Sequence, residues 1–147
     1  MANCDTKVVF TKLALTLEQK ERWGDVAPMY TSKFVINSLD LEVPDHIDQI
    51  EMIDGFVLIV ITIRSSAKTF NLNRNIWCYN EKGEKEWEIM DMFESEEMKN
   101  KDTVKYRVEP YTGIWKEEEK IKVSTFGGFT GVLDIKTGKV SNWSWSR

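Results

Sequence analysis

One histidine, two cysteines and 24 acidic residues are the groups in this 147-residue chain that could do chemistry. His46 follows Pro44-Asp45 in a predicted turn. A Ser-His or Cys-His system needs its base set on a nucleophile, and no Gly-x-Ser-x-Gly elbow surrounds any serine, so His46 reads as a solvated turn residue. Cys4 and Cys78 have no partner at metal-ligand spacing. They read as free thiols of a reducing compartment, with a disulfide between them as the other arrangement. Asp45, His46 and Asp48 lie close together but lack the loop signature of a cation cage. Gly127-Gly128 falls between two predicted strands and opens no helix, so it cannot cradle phosphate. Paired carboxylates could hydrolyse glycosides, but among 24 acidic residues some pair reaches a suitable separation by chance. The expectation is a chain with no catalytic residue, no metal site and no cofactor.

The acid is concentrated. Residues 81–97 hold two basic and eight acidic residues, against a net charge of −4 for the whole chain. In Glu84 to Ile89, strand alternation would put Lys85, Trp87 and Ile89 on one face and a row of Glu84, Glu86 and Glu88 on the other. Like charges in a column are unfavourable in water and ask for a reason. Asp91 to Glu94 has the capping-box pattern, and Lys99 and Lys101 would suit a helix C-terminus, which predicts a short acidic helix carrying Met92, Phe93 and Met98. Acidic residues interleaved with Met and Phe suit a surface that meets a basic partner. The candidate partner-binding residues are therefore Glu84, Glu86, Glu88, Asp91, Phe93, Glu94, Glu96 and Glu97. The plainer reading is a solubilising segment. The acidic balance argues against nonspecific nucleic-acid binding.

The elements that must position these residues are mostly strands. Lys7 to Leu15 alternates loosely. Thr16 to Gln19 matches a capping box with Gly24 as a stop, predicting a helix over Leu17 to Trp23. Phe34, Ile36, Leu39, Leu41 and Val43 alternate up to Pro44. Ile47–Ile53 and Phe56–Ile63 flank Asp54-Gly55, a strong two-residue hairpin signal. The second of these is apolar on both faces and should lie centrally, with something packed on each side. Arg64 to Arg74 reads as a loop. Asn75–Tyr79 and Glu84–Ile89 flank the Asn80-Glu-Lys-Gly83 turn, and Thr103–Val108 is a further strand. Ile114-Trp115, Ile121–Thr125, Gly131–Ile135 and Val140–Trp145 complete the run. Short strands with Gly turns at this spacing predict one all-β domain over 1–147, an antiparallel meander or two-layer sandwich with one or two short helices. The run Phe56 to Ile63 is too short to span a bilayer, and the N-terminus lacks the basic and apolar regions of a signal peptide, so a cytoplasmic protein is expected.

The six tryptophans admit three readings: core, protein interface and sugar platform. Trp143 and Trp145 are two apart and share a strand face; Trp77 and Trp87 lie on paired strands. A weak internal repeat relates Cys78-Tyr-Asn-Glu-Lys-Gly-Glu-Lys, with later Trp87, to Leu133-Asp-Ile-Lys-Thr-Gly-Lys-Val, with later Trp143.

Lys120 to Val140 runs strand, Gly turn, strand, Lys-Thr-Gly turn, strand, an order that resembles one blade of a quinoprotein-like β-propeller. A closed propeller takes about four to eight four-stranded blades, more than this chain can supply, so the resemblance implies propeller-blade-like hairpins and no quinone or metal pocket. From Asn73 to Val140 the chain also resembles a group of small bacterial single-domain proteins. The shared elements are Asn73-Arg74-Asn75 before an aromatic strand, Tyr111-Thr-Gly-Ile-Trp115, and the Asp134 to Lys139 hairpin. By size, acidity and lack of catalytic motifs it is similar to bacterial immunity proteins. That likeness implies a single basic toxin domain as partner, a nuclease among the candidates, with no nucleic-acid or membrane partner. Two other classes stay open: a self-associating interaction module using an unpaired sheet edge, and a ligand- or carbohydrate-binding or catalytic domain with a hidden pocket.

Overall fold

The computed structural model describes residues 8–13, 29–62, 71–99 and 108–145. They form eleven strands in three antiparallel sheets. The first sheet runs β1 (Val8–Leu13), β2 (Met29–Ile36), β3 (Leu39–Glu42). The second runs β4 (His46–Ile53), β5 (Phe56–Thr62), β6 (Ile76–Tyr79), β7 (Lys85–Glu88). The third runs β8 (Tyr111–Glu117), β9 (Lys120–Thr125), β10 (Phe129–Leu133), β11 (Val140–Trp145). Each is a consecutive antiparallel meander. The all-β expectation holds, and the layering is richer than either a single twisted sheet or a two-layer sandwich. The short helices among the described residues are 3-10 turns at Leu72–Arg74 and Met92–Glu94. The helix expected over Leu17–Trp23, and the strand expected over Thr103–Val108 up to residue 107, lie outside the described residues.

β5 explains the stacking. Val57, Ile59 and Ile61 pack with Phe34, Ile36, Val43 and Trp77 against the first sheet. Leu58 and Val60 pack with Ile76, Ile114, Val123 and Leu133 against the third. A strand apolar at every position needs two covered faces, and here each face has its own core. The outer sheets sit on opposite sides of the middle one, so the three sheets stack as layers. The Asp54-Gly55 turn has φ values of 52° and 82°, both left-handed, as a two-residue hairpin requires. Asn37-Ser38 makes a second such turn with φ of 46° and 74°.

The second and third sheets are joined by amides. Asn75 is 1% exposed; its Nδ2 donates to the carbonyls of Ile61 (2.9 Å) and Tyr111 (2.8 Å), and its Oδ1 accepts from Tyr111 N (2.8 Å). Asn73 Oδ1 accepts from Glu109 N at 2.7 Å. Gln49 bonds both the carbonyl of Ile114 (2.7 Å) and its N–H (3.3 Å). Three side-chain amides thus stand in for a strand along the edge of β8, satisfying backbone groups whose burial unpaired would be costly. This gives Asn73-Arg74-Asn75 and the Tyr111 strand one shared physical role.

Candidate functional site

The acidic segment begins at the β6–β7 hairpin, which Asn80 organises. Its Oδ1 accepts from Lys82 N (2.9 Å) and Glu84 N (3.0 Å), while its backbone closes the turn through Gly83 N to Asn80 O at 3.0 Å. Gly83 adopts φ of 82°, a conformation that costs any side chain about 1–2 kcal/mol. The amide NH2 then remains, and it donates to Glu84 Oε1 (3.0 Å) and Glu86 Oε2 (2.8 Å). Two exposed carboxylates are therefore held beside one another by a single nitrogen, and neither has an ion-pair partner among the described residues. Asn80 has no place among the residues singled out by sequence. Its signal was an Asx residue three positions before a turn glycine.

The expected row of Glu84, Glu86 and Glu88 does not form. A register shift on β7 pairs Tyr79 with Lys85 and Cys78 with Trp87, leaving Glu86 as the extra residue. A bulge of this kind breaks strict alternation. Lys85 consequently joins the face of Glu88 and Trp77 instead of that of Trp87. Its ammonium lies 3.7 Å from the centroid of the Trp77 ring and pairs with Glu88. Glu88 is thus locally neutralised, while Glu84 and Glu86 are not.

Beyond β7 the acidic residues divide again. The capping box is present: Asp91 accepts from Phe93 N at 3.0 Å, and Glu94 accepts from Asp91 N at 3.0 Å. Asp91 also accepts from Asn73 Nδ2 at 3.2 Å, and Glu94 pairs with Arg74. Glu97 spans to β11, accepting from Asn142 N (3.0 Å) and Trp143 N (3.1 Å). Glu96 is 85% exposed and pairs with Lys99. Met92 and Met98 are buried with Phe129, and half-buried Phe93 packs on that cluster. The expected helix carrying Met92, Phe93 and Met98 is reduced to one 3-10 turn over Met92–Glu94; Met92 and, beyond the turn, Met98 face the core, while Phe93 keeps part of its surface exposed. Asp91, Phe93 and Glu94 fasten the segment, and Glu84, Glu86 and Glu96 are presented.

Other reactive groups are occupied. His46 Nδ1 lies 3.0 Å from Asp45 Oδ1, which also accepts from His46 N at 2.8 Å. Burial, with Glu86 adding to it, pushes the Cys78 thiol up to about 12, which suppresses the thiolate. Burial, with Glu88 nearby, likewise raises Tyr79 to about 12. Trp77 is buried in the first core, and Trp87 is half-buried, donating from Nε1 to Ile135 O at 2.8 Å. Trp143 packs inside, whereas Trp145 is 51% exposed and stacks on Phe129. Among the described residues no group of three or more His, Cys, Asp or Glu is placed to hold a metal ion, and no helix is long and apolar enough to cross a membrane.

Residues 28–145 match the family described as a domain of unknown function, DUF7957, and the chain belongs to that family. No curated protein and no solved structure matches it.

Proposed function

We propose that this DUF7957 protein is a non-catalytic binding module that captures a basic protein, in the manner of an immunity protein neutralising a cognate bacterial toxin in the cytoplasm. The observation that carries the reading is the pair Glu84 and Glu86, exposed, without an ion-pair partner among the described residues and fixed by Asn80. Two like charges held together gain nothing for the fold. They are useful to a partner that arrives with opposite charge, by raising the encounter rate and setting orientation. A nuclease, whose substrate cleft is basic, is the toxin class such a surface fits best, since covering the cleft would also silence it.

The test is capture on the purified chain from lysate of its own organism at low and high salt. The expected result is a stoichiometric basic protein with toxin activity that is silenced in the complex. Glu84→Lys with Glu86→Lys should slow its association at low salt. A complex insensitive to both salt and charge reversal would remove the reading.

A second reading has its own observation. Phe126 is 79% exposed and Trp145 51%, both beside Gly127, whose carbonyl accepts from Trp145 Nε1 at 3.3 Å. Such an apolar patch would serve a module that binds itself. A solution mass well above 17.2 kDa would favour it, and a monomer at high concentration would exclude it.

A further inference from the structure

We propose that the groove between Glu97 and Trp145 receives an arginine side chain presented by a protein partner. This rests on the basic-partner reading and adds a specific anchor to it. The groove has a volume of about 240 Å³ and is lined by Glu97, Met98, Phe129, Trp143, Ser144 and Trp145.

Its two recognition elements are fixed in place. The Glu97 carboxylate is exposed and held by the N–H groups of Asn142 and Trp143 at 3.0 and 3.1 Å. A carboxylate has about four lone-pair sites, so those two bonds orient it and leave acceptor capacity for a ligand. No cation pairs with it among the described residues. Trp145 is set by its indole N–H on Gly127 O and by stacking on Phe129, with centroids 6.1 Å apart and planes 23° apart. Gly127 is in turn gripped by Glu109, a carboxylate only 5% exposed that accepts from Gly127 N. Burying a charge to hold a surface turn is costly, and it stiffens the platform on which Trp145 rests.

The chemistry selects a guanidinium. Its plane stacks on an indole while its N–H groups fork onto a carboxylate, a combination that the compact ammonium of lysine cannot make. The chain already uses an aromatic ring for a cation, in Lys85 over Trp77. The surrounding segment, residues 81–97, carries eight acidic and two basic residues, so an arriving arginine gains from the field as well.

The probe is N-acetyl-arginine amide, titrated into the full chain while the indole N–H signals are followed by NMR. Saturable shifts at Trp145 and Trp143 are expected, with N-acetyl-lysine amide binding more weakly. Glu97→Gln and Trp145→Leu should each weaken arginine binding about fivefold. Trp145→Leu leaves the Glu97 bonds to β11 intact, so it serves if Glu97→Gln loosens that strand. No saturable shift up to the probe's solubility, equal binding of lysine, or undiminished binding in Trp145→Leu would overturn the proposal. A captured basic partner indifferent to Trp145→Leu would overturn the groove and leave the basic-partner reading standing. Arginine binding with no basic partner captured would support the groove and count against that reading.

Discussion

The hairpin turns Asn80–Gly83 and Asp134–Gly138 are built by one device and put to different ends. In each, an Asx side-chain oxygen accepts from the N–H two residues on, Lys82 at 2.9 Å and Lys136 at 3.0 Å. Each ends on a left-handed glycine, with φ of 82° and 78°. The second turn is then pressed into the neighbouring sheet: a Cβ on Gly138 would meet the Trp87 ring at 2.7 Å, and the same indole donates to Ile135 O. The first turn leans on Leu39 and Leu41 of β3 and leaves its rim to solvent. The side chains differ in one respect that matters. Asparagine keeps two donors after its oxygen is used, and aspartate keeps none. Those donors gather Glu84 and Glu86, so of two turns that each touch a neighbouring sheet only the first also carries a charged display.

The difference is broken most strongly at the glycines. Gly138→Ala combines left-handed strain with a clash against a ring that cannot retreat, and should cost about 2–5 kcal/mol in urea unfolding. Gly83→Ala meets Leu39 Cδ2 at 2.5 Å, but that atom is the far end of a side chain 47% exposed, so the contact can relax. It should cost about 1–2 kcal/mol, the strain alone. Equal losses would mean that the two turns carry the same load.

Of the two hairpins, alkali attacks the base of the first, while Tyr111 at the start of β8, its phenol also pushed up by burial, adds to the decline. Cys78 and Tyr79 on β6 are raised from 9.0 and 10.0 to about 12, whereas β10 carries no such group. A raised folded pKa means that the unfolded chain loses its proton first. The stability these groups support is complete below pH 9 and is lost as pH rises toward about 12. Each should contribute a slope of about −1.4 kcal/mol per pH unit, Cys78 from about pH 9 and Tyr79 from about pH 10. Cys78→Val should flatten the early part of the decline, measured by urea midpoints from pH 8 upward. An unchanged slope would place the alkaline sensitivity elsewhere.

Exchanging the Asx residues sharpens the comparison. Asn80→Asp removes both donors and sets a third carboxylate beside Glu84 and Glu86. A loss of about 1 kcal/mol is expected, partly recovered in high salt. Asp134→Asn keeps its acceptor and should change stability by less than about 0.5 kcal/mol. A silent Asn80→Asp would show that the shared amide does not hold the pair.

Much of this was legible in the residues. The unbroken apolar run of β5 predicted its place between two layers, and the Gly turns marked the hairpins. Three things were hidden. Asn37-Ser38 makes a two-residue turn without glycine, so β2 and β3 read as one alternating stretch. The register shift at Glu86 depends on pairing with β6 and cannot be seen along β7 alone, so strict alternation draws a carboxylate row that does not form. The division of the acidic residues into fasteners and displayed charges depends on partners distant in sequence, Arg74 for Glu94 and Asn73 for Asp91. Composition marks the segment as acidic; only tertiary contacts say which acids are spent.

The smallest effect decides what the remaining charges are for. Glu84→Gln with Glu86→Gln keeps acceptors for the Asn80 amide and removes the repulsion between neighbouring carboxylates. If the pair exists for a partner, its neutralisation should leave the fold unharmed or raise its stability by up to about 0.5 kcal/mol, because binding surfaces are commonly held at some cost to the fold. The same variant should bind its captured partner more slowly at low salt, with dissociation little changed, since exposed charge acts mainly on encounter. Association must slow while stability does not fall. A destabilisation of about 1 kcal/mol or more would mean that the carboxylates fasten the hairpin, as Asp91 and Glu94 fasten the turn after it. Glu84 and Glu86 would then join the framework, and the partner's contact surface would have to be sought around Trp145.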